Sequence, residues 1–242
     1  MYLWVMAENY FKFKQFTILQ EKSAFKVGTD GVLLGAWADN TEARTILDVG
    51  TGTGLISLML AQNCNAQITA IEPDKDSYDQ AVENVENSPW ANKIRVEMVN
   101  FQKFFTSHNG LYDLIVSNPP YFNNSLHNPD KRKSSCRHTE TLSSVDILTG
   151  ASALLSENGK LYLILPYVEG NLFIAEAVTF GFYCNNILKV KSHPGSPIRR
   201  LLLEFGKTKK PLTEKFLTIE TGGRHVYSEA YFDLTKDFYL NF

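Results

Sequence analysis

The apolar positions of this chain fall into two alternating patterns. Short, nearly unbroken apolar runs occupy 45–49, 67–72, 94–99, 112–117, 160–165, 186–191 and 199–206, and have the length of buried strands. Between them lie segments of helical length at 53–63, 74–87, 142–156 and 169–180. Strands alternating with helices predict a parallel sheet covered on both faces. The last two runs are joined by Ser192-His193-Pro194-Gly195-Ser196-Pro197 alone, which leaves no room for a crossover helix, so they should pair antiparallel. Upstream, Phe11-Lys12-Phe13-Lys14-Gln15-Phe16 alternates aromatic and polar and predicts a strand with one buried face. Residues 29–37 read as a capped helix start and a short helix. The pattern predicts one domain over 1–242, with an extension at 1–44, a core at 45–206 and a short aromatic-rich tail at 207–242.

Composition narrows this little but usefully. A chain of 242 residues, 44% hydrophobic, can bury a full core at the upper end of a single α/β domain. The net charge of −2 supplies no global basic field, so a polyanionic partner would have to be held by a local patch. Cys64, Cys136 and Cys184 lie far apart, with no metal-ligand spacing and an odd count, which points away from a disulfide framework and toward a reducing compartment, the cytoplasm. The start, Met1 to Met6 followed by Glu8, has no basic region and is too short for a signal peptide or a membrane span.

The first chemical motif is Asp48-Val49-Gly50-Thr51-Gly52-Thr53-Gly54, set between a strand and a helix. Gly50, Gly52 and Gly54 let the backbone turn sharply and approach a ligand closely. Any α/β protein can use glycine in a tight turn, but three alternate glycines after an Asp-tipped strand make a ligand cradle the stronger reading, with Asp48, Gly50, Thr51, Gly52 and Gly54 as its members. Glu72 ends the next strand, 18 residues beyond Gly54, where a carboxylate can accept both hydroxyls of an adenosine ribose. The six-residue dinucleotide spacing is missing. That favours S-adenosylmethionine over NAD, since the former has no pyrophosphate and its cationic methionine end suits Asp48. Asn100 and Phe101, after the third strand, are expected to line the adenosine. Asn100 can accept from an adenine amino group through its carbonyl oxygen.

The second motif is Asn118-Pro119-Pro120-Tyr121, directly after the fourth core strand. An exocyclic aromatic amine is a poor nucleophile because its lone pair is delocalised into the ring. Its two N–H bonds need acceptors that favour a tetrahedral nitrogen, and the Asn118 side-chain oxygen and Pro119 carbonyl can supply them. Consecutive prolines fix φ and so preorganise those acceptors, while Tyr121 offers a ring for a planar base. Asn118 would stand where cofactor and target meet. The same tetrapeptide serves enzymes that methylate a glutamine amide or another base, so it leaves the substrate open.

Seven strands closed by an antiparallel hairpin resemble the Rossmann-like class I S-adenosylmethionine-dependent methyltransferases, whose seven-stranded sheet has an antiparallel final strand. The resemblance is more specific at the amino-terminal block. Phe13 to Phe16, Lys26 to Trp37, the two motifs, Arg137-His138-Thr139, Arg199 to Phe205 and Asp237 to Leu240 together are similar to the bacterial tRNA adenine-N6 methyltransferases that modify the adenine next to the anticodon of valine-1 tRNA. The resemblance spans nearly the whole chain. It implies a cytoplasmic enzyme using S-adenosylmethionine, with cofactor roles for Asp48, Gly50 and Glu72 and target-base roles for Asn118, Pro119 and Tyr121. Thr29 and Asp30 would fold over the methionine end of the cofactor, although a helix N-cap explains them equally well locally. Lys131, Arg132, Lys133 and Arg137 follow the catalytic loop and are candidate RNA contacts, a charge run being otherwise a solvated face. Lys12, Lys14, Arg199, Arg200 and Arg224 would extend that patch. A monomer with a tRNA substrate, no metal and no membrane segment is expected.

Overall fold

A computed structural model of the chain describes residues 9–23, 26–120, 142–223 and 225–241. Tyr121, Lys131, Arg132, Lys133, Arg137 and Arg224 lie outside the described residues.

The elements in chain order are β1 (Tyr10–Lys12), β2 (Thr17–Leu19), α1 (Thr29–Trp37), β3 (Thr45–Val49), α2 (Leu55–Asn63), β4 (Gln67–Ile71), α3 (Lys75–Glu86), β5 (Ile94–Glu97), α4 (Phe101–Ser107) and β6 (Tyr112–Ser117). There follow α5 (Ser144–Leu154), β7 (Leu155–Pro166), α6 (Tyr167–Ala177), β8 (Tyr183–Lys191), β9 (Ile198–Gly206), β10 (Thr213–Thr218) and α7 (Glu229–Thr235). The main sheet runs β10-β8-β9-β7-β6-β3-β4-β5. Strand β9 is antiparallel to both its neighbours and every other pair is parallel.

The seven expected strands are present, closing hairpin included, but the sheet has eight. The eighth, β10, comes from the tail and pairs parallel outside β8. It escapes a hydrophobicity reading because an edge strand with one covered face buries little: of its six residues only Leu217 is fully buried. A second correction concerns Phe11 to Phe16. The strand stops at Lys12, and residues 13–16 form the hairpin turn, closed by the Phe13 N–H donating to the Phe16 carbonyl at 2.8 Å. Phe13 and Phe16 are both buried and stack at 4.7 Å, so the turn places side chains three apart on one side. Helices α4 and α7 had no counterpart in the pattern; at seven residues each, both are too short to show a helical period.

The sheet is covered on both faces. Ile46, Ile68, Leu114 and Val116 face the hairpin, α1, α2 and α7, while Leu47, Ile115, Leu161 and Leu163 face α4, α5 and α6. Two contacts set the position of the amino-terminal elements. In α1, a Cβ on Gly31 would lie 3.0 Å from the Leu55 side chain and one on Gly35 would lie 2.8 Å from Met59 Sδ, so glycine lets α1 rest directly on α2. In α3, the buried Asn84 amide donates to the Leu19 and Thr53 carbonyls at 2.8 Å each and accepts from the Leu19 N–H, joining β2, α3 and the glycine loop.

Candidate active site

Strands β3 and β4 end side by side, with Val49 opposite Ile71. The chain then folds back across β4: the Gly50 and Thr51 N–H groups both donate to the Ile71 carbonyl at 3.0 Å. Gly50, Gly52 and Gly54 have φ of +74°, +59° and +84°, a region costly for any residue with a Cβ. A Cβ on Gly50 or Gly52 would meet no atom within 4 Å, so bare backbone faces open space there. The turn has the open, left-handed backbone that a ligand cradle at these glycines would need.

Two carboxylates brace it. Asp48 is fully buried beneath the loop, and its Oδ2 accepts from the Thr51 hydroxyl at 2.6 Å and the Ser57 hydroxyl at 2.7 Å. Burial pushes its carboxyl above the ordinary range, against the lowering effect of those two bonds. Asp48 Oδ1 is buried and has no hydrogen-bond partner among the described residues, an uncommon state for a carboxylate oxygen and one that a cationic or donor ligand would relieve. Glu72, 8% exposed, accepts from the Gly52 N–H at 2.9 Å through Oε2 and from the Asp74 N–H at 3.0 Å through Oε1. Burial raises its carboxyl too. Each Glu72 oxygen keeps a second lone pair for a hydroxyl donor.

The second motif arrives from the neighbouring strand. Ser117 ends β6 opposite Val49, and its buried hydroxyl donates to the Val49 carbonyl at 2.7 Å. Asn118 therefore leaves the sheet level with Gly50. It is half-buried, Pro119 is buried and Pro120 is exposed. Ser117 joins the two motifs and has no part in the sequence reading; a hydroxyl closing an otherwise apolar strand was the available signal. Thr29 and Asp30 stand at the start of α1, which the Gly31–Leu55 contact sets against the first turn of α2, next to Gly54. The N-cap of α1 is Gly28, without a side-chain bond, so the capping explanation of Thr29 and Asp30 does not hold. Asp30 Oδ2 accepts from Arg200 Nε at 2.7 Å, which ties α1 to β9 and gives Arg200 an intramolecular partner.

The remaining expected positions have other neighbours. Asn100 caps α4, its Oδ1 accepting from the Lys103 N–H at 2.9 Å. Phe101 is 4% exposed, its ring packed edge-on to Phe105 and over Gly150 of α5. Lys12 and Lys14 belong to the hairpin, whose turn packs on Trp90, between the end of α3 and β5. The Lys14 ammonium donates to the Lys236 carbonyl at 2.6 Å. Among the described residues no group of three His, Cys, Asp or Glu could hold a metal, and no helix is long and apolar enough to cross a membrane.

A sheet of this order, with a glycine loop after its first core strand and Asn-Pro-Pro after its fourth, defines a Rossmann-like methyltransferase. The fold is shared with a predicted O-methyltransferase from Agrobacterium tumefaciens (TM-score 0.65, 20% identity, 86% of this chain and 96% of that one). It is shared also with the ribosomal protein L11 methylase of Lactobacillus delbrueckii subsp. bulgaricus (TM-score 0.56, 17% identity, 78% and 84%). The family described as Methyltransferase small domain matches residues 21–170. Full-length relatives named tRNA1(Val) (adenine(37)-N6)-methyltransferase are 46% identical in Trichodesmium erythraeum, over 98% of this chain and 100% of the relative, and 48% identical in Phocaeicola vulgatus, again over 98% and 100%. The chain belongs to the tRNA1(Val) (adenine(37)-N6)-methyltransferase family.

Proposed function

We propose that this protein transfers the methyl group of S-adenosylmethionine to N6 of adenine 37, beside the anticodon, in tRNA1(Val). The observation that carries the reading is the placement of Asn118 and Pro119 level with the glycine loop, fixed by the Ser117–Val49 hydrogen bond. The names of relatives that match end to end support the substrate.

The cradle suits this cofactor. Bare backbone at Gly50 and Gly52 leaves room for close approach, the unpartnered Asp48 Oδ1 suits a cationic end, and Glu72 can accept from a ribose. Thr29 and Asp30 stand beside the first turn of α2 as a cover for the methionine portion. Asn100, whose side chain caps α4, would line the adenosine with Phe101 beside it. S-adenosylmethionine supplies an electrophilic methyl on a sulfonium, and the rest of the chemistry is positioning. The Asn118 oxygen and Pro119 carbonyl accept the two N6 hydrogens and favour the tetrahedral nitrogen whose lone pair can attack. Pro119 and Pro120 have fixed φ, so these acceptors need little reorganisation as the reaction proceeds. Tyr121 stacks on the adenine face. The nitrogen becomes acidic once it is bonded to a fourth group, so its proton passes to solvent through Asn118 and no strong base is required. Asp48 is enclosed beneath the loop and serves the cofactor, not the proton. Lys131, Arg132, Lys133 and Arg137 hold phosphates near the catalytic loop. The enzyme works as a cytoplasmic monomer.

The test is transfer of tritiated methyl to total tRNA from a strain lacking the enzyme, followed by nucleoside analysis. The expected product is N6-methyladenosine at position 37 of tRNA1(Val). Label in protein, or in another base, would refute the assignment.

A further inference from the structure

At the same edge of the sheet as Asn118, strands β8, β9 and β10 carry a group of side chains that the methyl-transfer site does not use. Lys191 is the last residue of β8 and Arg199 the second of β9, so both sit at the end of the sheet where the glycine loop lies. Phe216 of β10 pairs in register with Lys189 and is 62% exposed. The Lys189 and Lys191 ammonium groups stand 5.6 and 5.8 Å from its centre. Glu214 bonds Lys189 at 2.8 Å, leaving the group with three cations against one anion. Arg199 is exposed and is the extra residue of a bulge, between Ile198, which pairs with Lys191, and Arg200, which pairs with Val190. Between this group and the active site the chain exposes Tyr167, at the start of α6.

We propose that this corner is a second tRNA contact: Lys189, Lys191 and Arg199 take backbone phosphates, and Phe216 takes the face of a ribose or base. The inference rests on the tRNA reading above and adds to it where the nucleic acid lies. Net charge decides the class of partner. The chain as a whole is at −2, so a polyanion must be held by local cations, and here they converge around an exposed ring, the pairing that single-stranded nucleic acid favours. Distance decides the geometry. Strand β8 is three steps and β10 four steps across the sheet from β6, about 14 and 19 Å at the usual strand spacing. An RNA hairpin with one base turned into the Asn118 site spans that interval with its own backbone.

The test uses the full chain, an unmodified tRNA1(Val) transcript, and the variants Lys191→Ala/Arg199→Ala and Phe216→Ala. The double variant should bind the transcript ~25- to 60-fold more weakly at 0.1 M salt, with its salt slope lower by ~1.4–1.8, the effect of losing two phosphate contacts. Phe216→Ala should weaken binding roughly fivefold or more at an unchanged slope, since stacking does not release counterions. In both, affinity for S-adenosylhomocysteine and turnover at saturating tRNA should match wild type, which separates lost contact from lost fold. If wild type methylates the transcript and the double variant keeps its affinity and slope, the surface is refuted and the tRNA reading stands. If the variants leave tRNA binding unaltered but change sedimentation, the corner belongs to a second copy of the chain and the proposal is equally refuted. If wild type neither binds nor methylates the transcript, the functional reading fails and takes the surface with it.

Discussion

The two halves of the main sheet end at one edge with opposite chemistry. Where β3, β4 and β6 finish, the charged groups are carboxylates, both nearly or wholly buried, and most of their bonds go to the protein's own loops. Where β8 and β10 finish and β9 begins, the charged groups are mostly cations at the surface around an exposed ring. The first half is preorganised before any ligand arrives: Asp48 holds two hydroxyls, Glu72 holds two N–H groups, and one buried Asp48 oxygen is still without a partner. In the second half the ion pairs among the described residues are Lys189–Glu214 and Arg200–Asp30, and the Lys191 and Arg199 side chains are in neither. A rigid pocket suits a small ligand held in one pose, and mobile surface cations suit a long polyanion that is read by its backbone. The contrast predicts that substitutions in one half alter chemistry or cofactor affinity, and those in the other alter only the salt-dependent hold on RNA.

The largest effect should come from Asn118→Ala. Turnover should fall more than tenfold, over ~1.4 kcal/mol in barrier, with S-adenosylhomocysteine affinity and the salt slope of tRNA binding unchanged. Retained turnover above a tenth of wild type would remove Asn118 from the acceptor role. Glu72→Gln should come next. An amide presents a donor where the carboxylate offers two acceptors, so one of the Gly52 and Asp74 N–H groups loses its partner along with a ribose hydroxyl. Calorimetry should show cofactor affinity weaker by roughly 1–3 kcal/mol. Unchanged affinity would place the ribose elsewhere.

Ser117→Ala is a sharper probe of the join between the two motifs. It deletes the one side-chain bond from β6 to the Val49 carbonyl, at a cost of about 1 kcal/mol in chemical denaturation. If that bond sets the level of Asn118, kcat should drop while KM for the cofactor holds; a variant that loses stability but no turnover would make Ser117 purely structural. The smallest effect should be a gain. Asp48 has its carboxyl raised chiefly by burial, so the folded state favours the protonated form. Its contribution is fully present below the ordinary Asp range near ~3.9 and is lost as pH rises through the raised folded value. Asp48→Asn, which keeps an acceptor for Thr51 and Ser57, should therefore melt higher than wild type at neutral pH. The gap should widen as pH rises through that window and close below it, while cofactor affinity declines. A gap constant across pH would show that ionisation of Asp48 does not bear on stability.

Much of this was legible in the sequence, for identifiable reasons. The parallel core strands announce themselves because both their faces are buried, and β9 and β8 because a six-residue link allows only a hairpin. The glycine loop is legible because a left-handed backbone excludes most side chains, and Asn118-Pro119 because two prolines fix a conformation locally. What escaped lacks a local signature: β10 buries one side chain fully, and the Phe13–Phe16 turn imitates a strand's alternation until the chain reverses.

The sequence by itself determined the two motifs, the strand inventory of the core and the class of chemistry, since each follows from local backbone limits and from which residues must leave water. Only the tertiary structure decided which of the charged residues act together. Asp30 and Arg200 are 170 positions apart and become a pair across α1 and β9. Lys189, Lys191 and Phe216 meet through a parallel edge pairing that no short-range pattern encodes. Lys12 and Lys14 join the hairpin that packs on Trp90. Charge carries no periodicity, and its meaning depends on distances that exist only once the sheet has set the order of its strands.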